Sequence, residues 1–344
     1  MSSCLPNRSL LSIEKMAGNP LTTVDISKPD KVTVAKELLD ALVSQGFVFI
    51  DGHDFQADEV NKIFDLSKEF FKLPLEYKQK FPFDSSNSGY IQFNRENLDP
   101  SQKKDFKEGL NFSGIDFTSG EPSGPVPEWF IEDTSRHEFV KKTILKLNQL
   151  ALDLLVVLAR ALDIQDNDEC PGIEWFTSRY KPTSKSGSTL RFLHYPAQNS
   201  DDESSEVRAG AHTDYGSMTL LFQKEHQEGL EIYSPLSKKW EKVPFITSSK
   251  PGMAPPIIVN IGDLLSYWTA GLLKSTIHRV RFSNAQAEDR YSIVFFSHPS
   301  DETLLEPVPS ELLRDRTGRG VAKDTEYITA LQHLQKKIAN TYGY

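Results

Sequence analysis

The stretch "RAGAHTDYGS" (residues 208–217) sets His212 and Asp214 two positions apart in a segment with the texture of strand and turn. On an extended strand, residues i and i+2 project from one face, so both side chains are expected to enter the same space. Two readings follow: a structural hydrogen-bonded pair, or two ligands of one metal ion. The pair alone leaves both open. A third donor from elsewhere in the chain would decide between them.

His278 supplies a candidate. It stands in "KSTIHRVRF" (274–282), where Ile277 and Val280 suggest another strand. Two histidines and one carboxylate form the facial set that suits non-haem Fe(II) and leaves coordination positions open. Zinc accepts the same donors, so donor types alone leave the metal's identity open. The other six histidines (His53, His137, His194, His226, His298 and His333) fall in loops, on helices or near strand ends and are read as ordinary. The next run, "RYSIVFFSH" (290–298), puts Arg290 and Ser292 on one strand face. A permanently charged guanidinium beside a hydroxyl suits a carboxylate, to which it can donate two bonds. The apolar "IVFF" that follows implies burial, and a buried arginine without an anion is costly.

Outward from these motifs the chain divides by texture. Beyond about Gly172, short β-rich runs alternate with turn clusters: "LRFLHYP", "SMTLLFQ", "GLEIYS", "IIVNIGDLLSYWT", "KSTIHRVRF" and "RYSIVFFSH". Such spacing predicts an antiparallel sandwich or barrel. The acidic stretch "QNSDDESSE" (198–206) is expected to be an exposed loop. The N-terminal half reads as mostly helical with one early strand, "GFVFIDG" (46–52). Helical periodicity runs over 31–45 (Val32, Ala35, Leu38, Leu39, Leu42, Val43), over 57–72, over about 134–161 from Phe139 to Leu158, and near 325–339.

Composition narrows the function classes. A chain of 344 residues can bury a sizeable core, and 38% hydrophobic with 25% charged residues is the balance of a soluble globular protein. The net charge of −9 argues against nucleic acid, whose phosphates need clustered Lys and Arg. Two cysteines, Cys4 and Cys170, allow neither a disulfide framework nor a Cys-rich zinc site, which suits a reducing, cytoplasmic setting. No apolar run is long enough for a bilayer; "ALDLLVVLARAL" (151–162) is broken by Asp153 and Arg160. Residues 1–20 lack an apolar signal core and are expected to be a flexible lead.

The ordered set His212-x-Asp214, His278 and Arg290-x-Ser292 resembles the Fe(II)/2-oxoglutarate-dependent dioxygenases of the isopenicillin N synthase-like branch, with wording like that of fungal thymine 7-hydroxylase-like enzymes. The likeness covers nearly the whole chain. "SQGFVFIDGHDF", "FFKLPLEYKQKF", "GYIQFNRE" and "KKDFKEGLNF" look like the branch's N-terminal helical region, and the later runs look like its catalytic core. The resemblance implies an α+β fold: a double-stranded β-helix (jelly-roll) core with an N-terminal helical region, a long supporting helix and a C-terminal helix. It implies a division into 1–20, 21–130 and 131–344, the last two forming one integrated unit.

By the same resemblance, His212, Asp214 and His278 bind Fe(II), while Arg290, Ser292 and Tyr195 hold the distal carboxylate of 2-oxoglutarate. Leu193 stands where plant members carry asparagine, which removes one contact and weakens the match to plant substrates. Asn260 and Gln223 are expected to brace the metal ligands. Arg191, Tyr215 and Phe296 are expected against the substrate, with Tyr90, Phe93 and Phe112 at the mouth. The implied reaction consumes O2 and 2-oxoglutarate, releases succinate and CO2, and oxidises an unactivated C–H bond of a small molecule by hydroxylation, desaturation or cyclisation. Fungal secondary metabolism or nucleobase or amino-acid metabolism is the implied setting. Two alternatives share these motifs: an iron oxidase of this fold that dispenses with 2-oxoglutarate, and a non-catalytic jelly roll that binds a small molecule. A small-molecule partner is expected, with neither nucleic acid nor membrane; a monomer is compatible with the sequence.

Overall fold

Asp30 starts the first helix by accepting the backbone N–H groups of Val32 (3.1 Å) and Thr33 (3.2 Å), which leaves two fewer unpaired donors in the first turn. The computed structural model describes residues 18–99, 105–197, 206–282, 288–317 and 326–342. Residues 1–17 of the expected lead (1–20) and 198–205 of the acidic stretch (198–206) lie outside these residues.

In the N-terminal half, strand β1 (Thr23–Asp25) precedes helix α1 (Lys31–Ser44), and β2 (Phe47–Asp51) precedes α2 (Ala57–Phe71). Helix α1 buries Val34, Ala35, Leu38, Ala41 and Leu42, whereas Val32 is 73% exposed, on the opposite side of the first turn. Gln56 and Glu59 cap α2 reciprocally, with the Gln56 N–H donating to Glu59 Oε2 at 3.1 Å. Then come α3 (Leu75–Lys78), β3 (Gly89–Ile91), β4 (Glu108–Ser113), the two-residue strands β5 (Ile115–Asp116) and β6 (Glu121–Pro122), α4 (Glu128–Ile131) and the long α5 (Thr134–Ala161). Helix α5 spans the expected residues and buries Val140, Ile144, Leu147, Leu150, Leu154, Leu155 and Leu158; Phe139 is only partly buried.

The second half contains β7 (Thr189–Tyr195), β8 (Val207–His212), β9 (Met218–Phe222), β10 (Leu230–Tyr233), β11 (Trp240–Lys242), β12 (Ile257–Ile261), α6 (Asp263–Trp268), β13 (His278–Arg281), β14 (Arg290–Ser297), α7 (Glu311–Thr317) and α8 (Ala330–Tyr342). The major sheet has the order β1-β2-β12-β9-β14-β7-β4-β3, and the minor sheet the order β11-β10-β13-β8. The two sheets face each other in the double-stranded β-helix arrangement. One interior cluster joins Leu193, Tyr195 and Val294 of the major sheet to Ala209 and Val280 of the minor one. The opposite face of the major sheet carries Phe192, Ile293 and Phe295 into the main core with α1, α2 and α5. Strand alternation therefore decides which side chains reach the interior.

Three sequence expectations change here. The first half is not helical with a single strand, because "GYIQFNRE" and "KKDFKEGLNF" contribute β3 and β4 to the major sheet, with β4 antiparallel to β7. The apolar signal in β4 is weak because its interior face is Gly109, Asn111 and Ser113, leaving only Leu110 and Phe112 for the core. "IIVNIGDLLSYWT" is not one β run. It changes to helix at Asp263, where Leu264, Leu265 and Trp268 take up helical spacing on the buried side. The C-terminal helix starts at Ala330 rather than near 325, since Thr329 is occupied in a bridge with Leu304 and a reciprocal cap with Gln332. No helix among the described residues is long and apolar enough to cross a membrane.

His298 follows β14, buried against Gly187 and Gly216. Burial, and then the neighbouring His333, push its pKa down to about 4. Between the ordinary histidine value near 6.5 and that value, the unfolded chain binds a proton that the folded chain does not, so stability falls as pH drops through this window. His298→Gln is expected to flatten that fall by roughly 1–3 kcal/mol, read from urea unfolding at pH 7 and pH 4.5. An unchanged pH slope would show that His298 does not titrate with unfolding.

Candidate functional site

Strand pairing creates the first part of the site. His212 ends β8, His278 begins β13, and the two are register partners with ring centroids 4.3 Å apart. Asp214 is not on the strand, as an i, i+2 reading would have it. It lies in the turn just after β8, and that turn returns its carboxylate to the two imidazoles. One donor atom from each residue falls within 4.8 Å of the others. His212 Nε2 is 3.9 Å, and His278 Nε2 3.7 Å, from Asp214 Oδ1.

The remaining atoms of all three side chains are already committed. Nδ1 of His212 donates to the Gly210 carbonyl (2.7 Å), and Nδ1 of His278 to the Thr276 carbonyl (3.1 Å). Asp214 Oδ2 accepts from Thr219 Oγ1 and Asn260 Nδ2, both at 2.7 Å. Two Nε2 lone pairs and Oδ1 are left facing one point. Such outer hydrogen bonds fix the tautomer and the direction of metal ligands. Two imidazole nitrogens and one carboxylate oxygen, all within 4.8 Å of one another, are donor types that divalent transition metals take. The donor set therefore fits a divalent metal.

Electrostatics agree with that fit. Burial, and then the second imidazole, push the His212 pKa far down, so the ring is neutral and its lone pair available. Burial alone would raise the Asp214 pKa, yet it lies below the ordinary carboxylate value, and the hydrogen bonds from Asn260 and Thr219 favour the ionised form.

Arg290, Ser292 and Tyr195 also come together. Arg290, 2% exposed, donates from Nη1 to Ser292 Oγ (2.8 Å) and from Nε to the Gln227 carbonyl (2.9 Å). Its guanidinium lies 5.0 Å from the centroid of the Tyr195 ring, its register partner across β7. Tyr195 is a further hydrogen-bond partner of the guanidinium, whose fork carries five N–H donors in all.

The expected bracing residues separate. Asn260 touches Asp214, but Gln223 does not contact a metal ligand; it continues β9 past Phe222, on the strand side that faces the interior, and its Nε2 has no partner among the described residues. Of the expected substrate residues, Arg191 and Phe296 share the interior face, 5.6 Å apart, and Arg191 is tied to Asn111 (2.7 Å) and Glu96 (3.2 Å). Tyr215 sits in the metal turn, partly buried. Phe93 stacks on Phe106 at 5.2 Å. Tyr90 and Phe112 do not reach the mouth. Their register with Leu110 and Leu190 puts them on the helix side of the sheet, where Phe112 packs on Phe130 and Phe192, and the Tyr90 hydroxyl donates to Glu108 (2.5 Å).

Sequence reading missed a buried ionic cluster beside the interior. Lys107 pairs with Asp105 (2.6 Å) and Glu96 (3.3 Å), and Glu96 also holds Arg191. Lys107 bears electrostatically on both Tyr195 and His212. In "KKDFKEGL" these charges look like an ordinary solvated face, and nothing local marks Lys107 as buried.

Known proteins resemble this chain in sequence and fold. Residues 21–129 match the family model for the non-haem dioxygenase in morphine synthesis N-terminal region, and residues 186–299 match that for the 2OG-Fe(II) oxygenase superfamily. The chain is 34% identical over 336 residues to UPF0676 protein C1494.01 of Schizosaccharomyces pombe, covering 93% of this chain and 92% of that one. It is 30% identical over 341 residues to the 2-oxoglutarate-dependent dioxygenase tropC of Talaromyces stipitatus, covering 94% and 96%. The crystal structure of full-length Neurospora crassa thymine 7-hydroxylase in complex with alpha-KG and thymine superposes with a TM-score of 0.76 at 27% identity, covering 95% of this chain and 99% of that one. With a relative above 30% identity along nearly its whole length and the superfamily model matching the segment that carries the His–Asp–His cluster, this chain belongs to the 2OG-Fe(II) oxygenase superfamily.

Proposed function

We propose that His212, Asp214 and His278 hold the Fe(II) of this oxygenase, and that Arg290, Ser292 and Tyr195 receive the distal carboxylate of 2-oxoglutarate. The observation that carries this reading is the set of three uncommitted donor atoms within 4.8 Å, on the same interior as a buried arginine. When bound, Fe(II) with O2 and 2-oxoglutarate supplies the oxidising power to break an unactivated C–H bond, with succinate and CO2 released.

The chain's own contribution is geometric and electrostatic. Thr219 and Asn260 restrain Asp214 so that it offers one oxygen. The Gly210 and Thr276 carbonyls keep the Nδ1–H of each histidine turned away from the metal. Arg290 neutralises the distal carboxylate, and Ser292 fixes the orientation of its guanidinium. Leu193, Val280, Phe282 and Val294 line the interior and exclude water, which strengthens every charge interaction there.

The substrate is a small molecule. Arg191, Phe296 and Tyr215 present one cation and two aromatic rings, which suits a planar polar compound of nucleobase size; the Neurospora enzyme was solved with thymine and with 5-formyluracil. In this reading Phe93, stacked on Phe106, is assigned to the mouth. An unpaired Cys170 suits a cytoplasmic setting.

The test is succinate formed from 2-oxoglutarate under air, counted per product across a panel of nucleobases, amino acids and aromatic acids. One succinate per oxidised product is expected. Product without succinate would move the protein to the oxidases that dispense with 2-oxoglutarate. Failure of anaerobic Fe(II) and 2-oxoglutarate together to give a visible charge-transfer band would favour a binding protein without turnover.

A further inference from the structure

We infer that Asp263 is a positioning residue for the metal centre, held in place by Lys337 of the C-terminal helix. The inference rests on the metal assignment above. Asp263 begins α6, and its carboxylate, 12% exposed, gathers three elements. Oδ2 accepts from Thr213 Oγ1 (3.0 Å), and Thr213 lies between the two ligands His212 and Asp214. Oδ1 accepts from Ser275 Oγ (2.6 Å), on the segment that leads to His278 and bridges to Ile261. Lys337 Nζ closes the group at 2.6 Å from Oδ2. The backbone N–H of Asp263 also donates to the Asp214 carbonyl (2.7 Å).

One carboxylate thus ties together both chain segments that carry the metal ligands. The approach is close enough that a Cβ on the preceding Gly262 would fall 2.2 Å from the Gly216 carbonyl oxygen, so the turn has no slack on that side. Helix α8 meets α6 through Tyr267 and His333 (5.6 Å) across a cleft of about 280 Å³ that Lys337 and Lys336 help to line. Lys337, 37% exposed, is therefore the point where α8 bears on the ligand-carrying turn.

Charge and positioning make opposite predictions for Lys337, which makes the question decidable. Removing a nearby cation would by charge alone tighten binding of a divalent metal. Loosening the turn would weaken it. Outer partners that touch metal ligands directly account for about 10–100-fold in affinity, and Asp263 acts one bond further out, so about threefold to tenfold is expected for Lys337→Met. Ser275→Ala removes one bond from the same carboxylate without changing charge, and the same direction and size are expected.

The experiment is titration with Co(II) alone, followed by its visible absorption, on wild type, Lys337→Met, Lys337→Arg, Ser275→Ala and His212→Ala. Metal-free unfolding midpoints are measured in parallel. Weaker Co(II) binding in Lys337→Met and Ser275→Ala, recovery in Lys337→Arg, and midpoints within about 2 °C of wild type would support the inference. Unchanged or tighter binding in both variants overturns it, and so does a loss that merely follows an equally large fall in the metal-free midpoint. If wild type itself bound no Co(II) in a manner that His212→Ala removes, the metal assignment would fail instead.

Discussion

Asp214→Ala is expected to reduce succinate formation to background while the protein stays folded. The substitution removes the anion that faces both Nε2 atoms and leaves Thr219 and Asn260 donating to nothing. Losing a direct ligand should exceed the roughly 10–100-fold effect of losing an outer partner, so iron content after desalting should be near zero. Circular dichroism serves as the folding control, because the turn that carries Asp214 retains its backbone bonds to Asp263 and Leu264. Turnover at the wild-type rate in the Asp214→Ala protein would refute the metal assignment outright.

Arg290→Met should act on a different quantity. The methionine fills much of the arginine's hydrocarbon volume beside Tyr195, but it removes the charge and the fork of donors. Two charge-assisted hydrogen bonds contribute about 3–4 kcal/mol together, so the KM for 2-oxoglutarate should rise roughly 10²–10³-fold. The maximal rate at saturating 2-oxoglutarate should change far less, since Arg290 is not among the donor atoms that converge on the metal. Measuring both constants separates the two effects. An unaltered KM would show that the carboxylate is held elsewhere.

The chemistry was more legible in sequence than the architecture around it. His212, Asp214, His278, Arg290 and Ser292 stood out because each is an unusual residue type for an apolar β segment and each pair obeys a local spacing. Tyr90 and Phe112 were misplaced for the complementary reason. Their facing depends on the register of β3, β4 and β7, which is set by pairing over long sequence separations and not by neighbours in the chain. The Asp214 turn and the Asp263 junction were hidden in the same way, since both depend on a loop meeting a helix that the apolar pattern had read as strand. Lys107 was invisible because a charged residue gives no local sign that its partners will bury it.

The order of the major sheet also bears on how the chain is made. Both margins, β1-β2 and β4-β3, come from residues before 114, while the four strands between them come from residues 189 to 297. During translation the early strands leave the ribosome with neither β7 nor β12 to pair with, so they must wait for most of the polypeptide. Such delayed pairing makes for slow folding and leaves strand edges open to chaperones, or to aggregation, in the nascent state.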